Sequence, residues 1–331
     1  LLGDDMIFTL EFLIIFTIIF VCGLIAGFLG GLLGLGGAVI LTPLITSIFE
    51  ELPIQYASGI SLISALATSI MSGSRYMRSK LPNVRVVMFL APSSTTGAIV
   101  GSFLAFHAIS KGYSWILYVI FSLVMFMTMF LTIKRKSTVN ISAVSVGQRS
   151  IDHVIIEDSF FDVTLKAYMN YKVYRKDLVK AWFIMLFGGL MSGLLGIGGG
   201  PINILALYWA ASLPLKVASA TSNLLVGVTA ATSGSLYWLF GYIQPFMAIA
   251  SVLGITPGAY VASRVLPRIR GSSIKVILLS VFSYLATRMF LSGLNKGHIL
   301  LIPMLTRHII AFSVLIISLI ILWRLRNYLT E

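Results

Sequence analysis

The sequence predicts an all-α polytopic membrane protein: two inverted-topology repeats of about five segments each, with short broken helices in each repeat, plus one extra C-terminal helix. Three observations predict it: an apolar composition, an internal repeat, and basic residues that alternate between the connecting segments.

Apolar residues fill 58% of the 331 positions, charged residues only 11%, and the mean hydropathy is +0.97. Soluble domains carry about 25% charged residues, so this chain has too little polar surface to coat a globule in water. Apolar runs at Met6 to Gly27, Val86 to Phe106, Trp115 to Ile133, Ile274 to Leu294 and Ile309 to Trp323 approach the ~20 residues that cross a hydrocarbon core. The first run has no basic leader and follows Asp4 and Asp5, so it reads as a span rather than a cleavable signal. Cys22 is the single cysteine, which excludes an intramolecular disulfide. A formal charge of +13 would suit nucleic acid, but the basic residues fall between apolar segments, where they set membrane orientation instead.

The repeat is direct. Gly31 to Ala38 (Gly-Leu-Leu-Gly-Leu-Gly-Gly-Ala) recurs as Gly193 to Gly200 (Gly-Leu-Leu-Gly-Ile-Gly-Gly-Gly) at a shift of 162. Ala57 to Met77 then matches Ala218 to Trp238 at a shift of 161, with eight identities in 21 positions. Pro53 pairs with Pro214, and Gly97-Ala98 with Gly258-Ala259, at the same shift. A register held within one residue over so long a span marks a duplication.

The hydrophobic segments run over 6–29, 37–49, 55–77, 84–107 and 113–134, and again over 180–195, 199–212, 216–239, 244–266 and 273–293, with an unmatched one at 306–325. This divides the chain into repeats at 1–134 and 180–295, an insertion at 135–179, and a final helix and tail at 296–331. An odd count per copy puts the second copy upside down. Charge agrees: with the central stretch in the cytoplasm, twenty of the 24 Lys/Arg fall inside, and only Lys111, Arg288, Lys296 and Arg307 do not. The basic loop follows the third segment in the first copy (Arg75, Arg78, Lys80, Arg85) and the fourth in the second (Arg264, Arg268, Arg270, Lys275). Inverted insertion produces that swap. The N-terminus is then outside a cell membrane, and the centre and C-terminus are cytoplasmic. The stretch from Lys134 to Lys180 mixes nine basic and five acidic residues with β-prone runs; a small β-hairpin and a partly ordered linker both fit it.

The second segment of each copy carries the functional signal. Thirteen residues from Gly37 to Phe49 rise about 20 Å as a helix, too little to cross. The uncharged turn before it, like the one before 199–212, is expected within the bilayer, where irregular backbone survives only inside protein or beside a water-filled cavity. Short Gly-interrupted segments at matching places in inverted halves point to a transporter's site. Gly36, Gly37 and Ala38 in one copy, and Gly198, Gly199 and Gly200 in the other, would expose amide N–H groups at a helix start, which favours an anion; Pro201 suits the first turn of that helix, where its missing N–H is not needed. Close helix packing by small residues explains the same glycines without a ligand. Ser61, Asn203, Thr221, Ser222 and Asn223 are candidate side-chain donors, with helix–helix hydrogen bonding as the alternative. All eleven carboxylates lie in termini, loops or near a segment end, which disfavours a cation substrate. Arg288 sits within the tenth segment with no acidic partner apparent from sequence; it would neutralise an anion or snorkel to the outer surface.

Enzyme signatures fail. Gly196 and Gly198 would need glycine where Pro201 stands to complete G-x-G-x-x-G, and no Walker lysine follows. His107, His153, His298 and His308 show no metal-ligand spacing. No cofactor or metal is expected.

At Gly27 to Pro43, Gly193 to Pro201, the Pro-x-x-x-Ala-Ser stretches at Pro53 to Ser58 and Pro214 to Ser219, and Gly97 and Gly258, the chain resembles the sulfite exporter TauE/SafE family, also called the toluenesulfonate uptake permease family. The resemblance covers most of both halves and implies transport of sulfur oxyanions through two inverted halves. Ala38 departs from a usual glycine, and Leu205 stands where the first copy has Pro43, so the site is expected to lean on Gly198 to Asn203. The resulting expectation is a secondary transporter with a small anionic substrate, sulfite or organosulfonate, and the bilayer as its partners. The alternatives are a carrier of another small anion or zwitterion, an anion channel, or a membrane sensor signalling through the insertion. Nothing in the sequence sets an oligomeric state.

Overall fold

The structure is a computed structural model and describes residues 2–134, 154–162, 167–269, 271–300 and 302–324. Most of the central insertion (135–153 and 163–166), Arg270 and the tail residue Arg326 lie outside the described residues. The helices are α1 (Leu2–Leu33), α2 (Ala38–Ile48), α3 (Ile54–Arg78), α4 (Val84–Ser110), α5 (Ser114–Lys134), α6 (Arg175–Leu195), α7 (Gly200–Ile204), α8 (Leu215–Leu239), α9 (Pro245–Val265), α10 (Gly271–Lys296) and α11 (Met304–Arg324). Among the described residues one antiparallel hairpin, β1 (Val154–Asp162) and β2 (Ala167–Tyr174), interrupts them. The expected all-α polytopic class is what is observed. Seven helices among the described residues are long and apolar enough to cross a membrane: α1, α3, α4, α5, α6, α9 and α10.

Several boundaries follow from local chemistry. Pro53 and Pro214 precede α3 and α8 in extended conformations alike to within two degrees in φ (−58° and −56°). Proline fixes φ and resists a helix before it. Asn83 caps α4, its Oδ1 accepting from the Val86 amide at 3.1 Å. α6 begins at Arg175, directly after β2, five residues before the 180 boundary expected from hydrophobicity. The short second segments take different forms. α2 runs eleven residues with Pro43 inside it, whereas α7 has five α-helical residues and continues as a π-helix over Leu205–Ala210. π-turns widen the backbone and recur at functional sites.

The copies interlock instead of sitting side by side. α1 packs along α9, α4 along α6, α3 on α8, and α5 on α10, so each of these four contacts joins the first copy to the second. The sequence shift carries the first contact onto the second. An added Cβ on Gly27 would overlap the Ile255 carbonyl, and one on Gly189 would overlap that of Ser94. Gly258 is equally tight against Leu24, and Gly97 against Leu186. Only glycine lets helix backbones approach this far. The buried centre is the α3–α8 pair, whose serines and threonines would be costly facing lipid. Tyr76 donates to the Gly31 carbonyl at 3.0 Å, and Tyr237 to that of Gly193 at 3.1 Å.

Candidate functional site

Each Gly-rich turn is a run of left-handed backbone. Gly34, Gly36 and Gly37 have φ of +73°, +78° and +73°; Gly196, Gly198 and Gly199 have +68°, +70° and +74°. A side chain at any of the six would be strained, because L-residues pay sterically for this conformation. The sequence repeats glycine there because the two turns share one backbone shape. Ala38 and Gly200 then open α2 and α7, and Pro201 takes the first turn of α7, where its missing N–H is not needed.

The turns meet each other. Gly200 lies against Leu35, Gly34 against Ser219, and Gly196 against Ser58. Gly36 and Gly198 both face Val226. An open cradle between the turns is thus not the arrangement seen; here the glycines serve close packing. Thr229 donates to the Gly198 carbonyl at 2.9 Å and holds the second turn to α8. The same hydroxyl also lies 2.9 Å from the Leu225 carbonyl of its own helix, the contact that its repeat counterpart Thr68 makes within α3 to the Ser64 carbonyl at 2.9 Å.

The polar candidates divide into committed and uncommitted groups. The Ser222 hydroxyl donates to the Gly34 carbonyl at 2.6 Å, and Thr221 accepts from the Asn83 amide at 3.1 Å. Asn223 Nδ2 donates to the Gly31 carbonyl at 3.0 Å, but its Oδ1 has no partner. Ser61 is fully buried with its hydroxyl unpartnered. Asn203 is the extreme case: fully buried, with neither Oδ1 nor Nδ2 hydrogen-bonded. Each such orphan costs about 1–3 kcal/mol relative to a satisfied group, and native interiors explain theirs by water, ion or function. Asn203 Oδ1 faces Gly188 and Gly199, both without side chains to block it.

Arg288 is placed differently from the sequence expectation. It is 1% exposed, so it does not snorkel, and it has an acidic neighbour, with Nη2 3.8 Å from Glu50 Oε1. Its other partners are Ser292 on its own helix and His308 on α11; none belongs to the Gly-rich turns.

Sequence reasoning missed several groups. Thr42, Ser94, Ser192 and Ser219 are buried hydroxyls without partners. Serines are too common in membrane helices for that to show in a sequence. Arg75 and Arg264, expected only as orientation signals, both lie over the Tyr260 ring, at 4.9 and 4.5 Å from its centre. The hairpin is tied down by buried polar contacts. Lys216 Nζ donates to Asp162 Oδ1 at 2.8 Å, and Asn83 Nδ2 to the Tyr171 hydroxyl at 3.0 Å. Burial pushes the Tyr171 phenol up to about 12. Among the described residues no group of three or more His, Cys, Asp or Glu could hold a metal ion.

Comparison with known proteins places this architecture. Residues 19–289 match the family model described as sulfite exporter TauE/SafE. The chain is 24% identical over 267 residues to "Probable membrane transporter protein YunE" of Bacillus subtilis, covering 79% of this chain and 92% of that protein. A "Probable membrane transporter protein" of Methanocaldococcus jannaschii is 24% identical over 273 residues, covering 78% and 89%. "Sulfite exporter TauE/SafE family protein 6" of Arabidopsis thaliana is 38% identical over 103 residues, covering 30% of this chain and 24% of that one. No solved structure gives a significant match.

Proposed function

The chain belongs to the sulfite exporter TauE/SafE family, a family of membrane transporters, and from that premise we propose that it is a secondary transporter of a small sulfur-containing anion, sulfite or an organosulfonate. The two halves are read as inverted in the bilayer of the cell membrane, with the N-terminus outside and the centre and C-terminus cytoplasmic. The swapped basic loops favour that reading, as does packing in which α1 on α9 and α4 on α6 are one contact used twice.

The observation that carries the site is Asn203, an amide buried without a hydrogen-bond partner one turn into α7. An oxyanion there would accept from Nδ2, with the buried, unpartnered Ser61 hydroxyl of α3 as a second candidate donor; Pro201 brings no N–H, and the Ile202 and Asn203 amides already donate to the Gly199 carbonyl at 3.1 and 2.9 Å, so the side chains carry the reading. Neutral donors suit an anion that must also leave, since a buried countercharge would hold it too tightly. The turns are in contact in the arrangement seen, so the substrate enters when one half moves against the other and separates them, as alternating access requires. In this reading Gly36, Gly37 and Ala38 would form the opposite wall; Ser222 holds that turn through the Gly34 carbonyl and Thr221 accepts from the Asn83 amide at the start of α4, so both are committed to backbone rather than free to bind.

Sulfite uptake into proteoliposomes tests the reading. We expect saturable flux with counterflow, competed by organosulfonates and not by acetate or lactate. Uptake competed by carboxylates alone would make this a carrier for a different anion, and linear, non-saturating flux would make it a channel.

A further inference from the structure

Of the four basic residues that the charge pattern leaves outside the cytoplasm, three converge on one acidic residue. Arg307 Nη2 donates to Glu50 Oε1 at 2.7 Å, Arg288 Nη2 stands 3.8 Å from the same oxygen, and Lys296 Nζ donates to the Glu50 backbone carbonyl at 2.7 Å. Glu50 follows α2, Arg288 and Lys296 are on α10, and Arg307 is on α11. The two arginine side chains are 1% and 4% exposed, and the Nε of each is buried with no hydrogen-bond partner.

The charges do not balance. Two buried guanidinium groups share a single carboxylate oxygen, and a buried charge without full compensation costs several kcal/mol. His308, 3.4 Å from Arg288, brings no negative charge, and Ser292 brings only a hydroxyl. Glu50 is about a third exposed and lines an open cavity of about 610 Å³, together with Phe49, Glu51, Met247 and Met304. Its carboxylate therefore stands between the arginines and open space. Guanidinium forks match the spaced oxygens of an oxyanion better than any other small ligand, and a cation would be repelled.

We infer that the Arg288–Arg307 pair is a second anion site, separate from the Asn203 site, in which the Glu50 carboxylate holds the place of the ligand. An oxyanion, either a free ion or the phosphodiester of a lipid headgroup, binds both guanidinium groups as Glu50 turns out into the cavity. A second carboxylate, Glu51, lies on the cavity wall and opposes the entry of an anion. This inference does not depend on the identity of the transported substrate.

The test measures thermal stability of the full chain in detergent against sulfate, at ionic strength matched with gluconate, for the wild type and Glu50→Gln. The neutral amide keeps the shape and removes the competing charge. Glu50→Gln is expected to be less stable without sulfate and to be stabilised saturably by it, half-maximally at a concentration about tenfold below that of the wild type. The same response should persist in a Glu50→Gln/Asn203→Leu background, which separates this site from the Asn203 one. Stabilisation by phosphatidylglycerol in the micelle but not by sulfate identifies a headgroup as the occupant. A folded Glu50→Gln protein indifferent to both overturns the inference. Should that variant not fold, selenate soaked into wild-type crystals decides. Anomalous density between Arg288 and Arg307 supports the site; Glu50 in place with no density at saturating selenate overturns it.

Discussion

Gly200, the first residue of α7, rests against the backbone of Leu35, the midpoint of the other copy's turn. The two Gly-rich turns are thereby in direct backbone contact, and the proposed movement of one half against the other would have to part them. A Cβ at position 200 would overlap the Leu35 carbonyl, a backbone atom that cannot rotate away.

Gly200→Ala is therefore expected to destabilise the protein by about 1–3 kcal/mol, the usual cost of overpacking, read as a lower midpoint in thermal unfolding. Gly234→Ala is the control. Its Cβ would make only ordinary contact, at 3.7 Å from Ile63 and Leu62, so removing a helical glycine should be neutral or stabilise by about 0.5–1 kcal/mol.

The tyrosine pair should respond unequally. Gly31 O accepts from both Tyr76 and Asn223, whereas its counterpart Gly193 O accepts from Tyr237 without an asparagine beside it. Tyr237→Phe should cost about 1–2 kcal/mol and Tyr76→Phe less, because a second donor remains for Gly31. Equal losses in chemical denaturation would show that Asn223 does not support that carbonyl.

A buried ion pair helps to hold the hairpin. The Lys216 and Asp162 side chains are 5% and 9% exposed, and Lys216 Nζ also reaches the Pro267 carbonyl. Asp162→Asn leaves an ammonium with weakened compensation, so a loss of about 3 kcal/mol and faster proteolysis of the hairpin are expected. Lys216→Met/Asp162→Leu should recover most of that stability, since a well-packed apolar pair does as well as a buried ionic one.

Much of this fold was readable because membranes impose strong rules. The segments around α3, α4, α5, α9 and α10 fall within a few residues of their hydrophobic runs, and the turn glycines repeat because six positions need φ that only glycine takes freely. The start of α6 was misplaced because Arg175 to Lys180 is polar and still helical. Orphaned hydroxyls and amides were not readable: whether Asn203 or Ser222 finds a carbonyl depends on which helix arrives beside it. The Glu50 cluster was half visible. The charge pattern leaves these three basic residues outside the cytoplasm as exceptions, but their common partner lies over two hundred residues away in sequence.

The central claim, that Asn203 is held unpaired for a ligand rather than for the fold, is tested most directly by Asn203→Leu measured twice in one preparation. An orphaned amide replaced by an apolar side chain of similar size should leave thermal stability unchanged or raise it by about 1–3 kcal/mol. Sulfite uptake by proteoliposomes of the same protein should fall at least about tenfold, the loss expected when one or two hydrogen bonds to the bound ion disappear. A stable variant that carries sulfite at the wild-type rate would contradict the account.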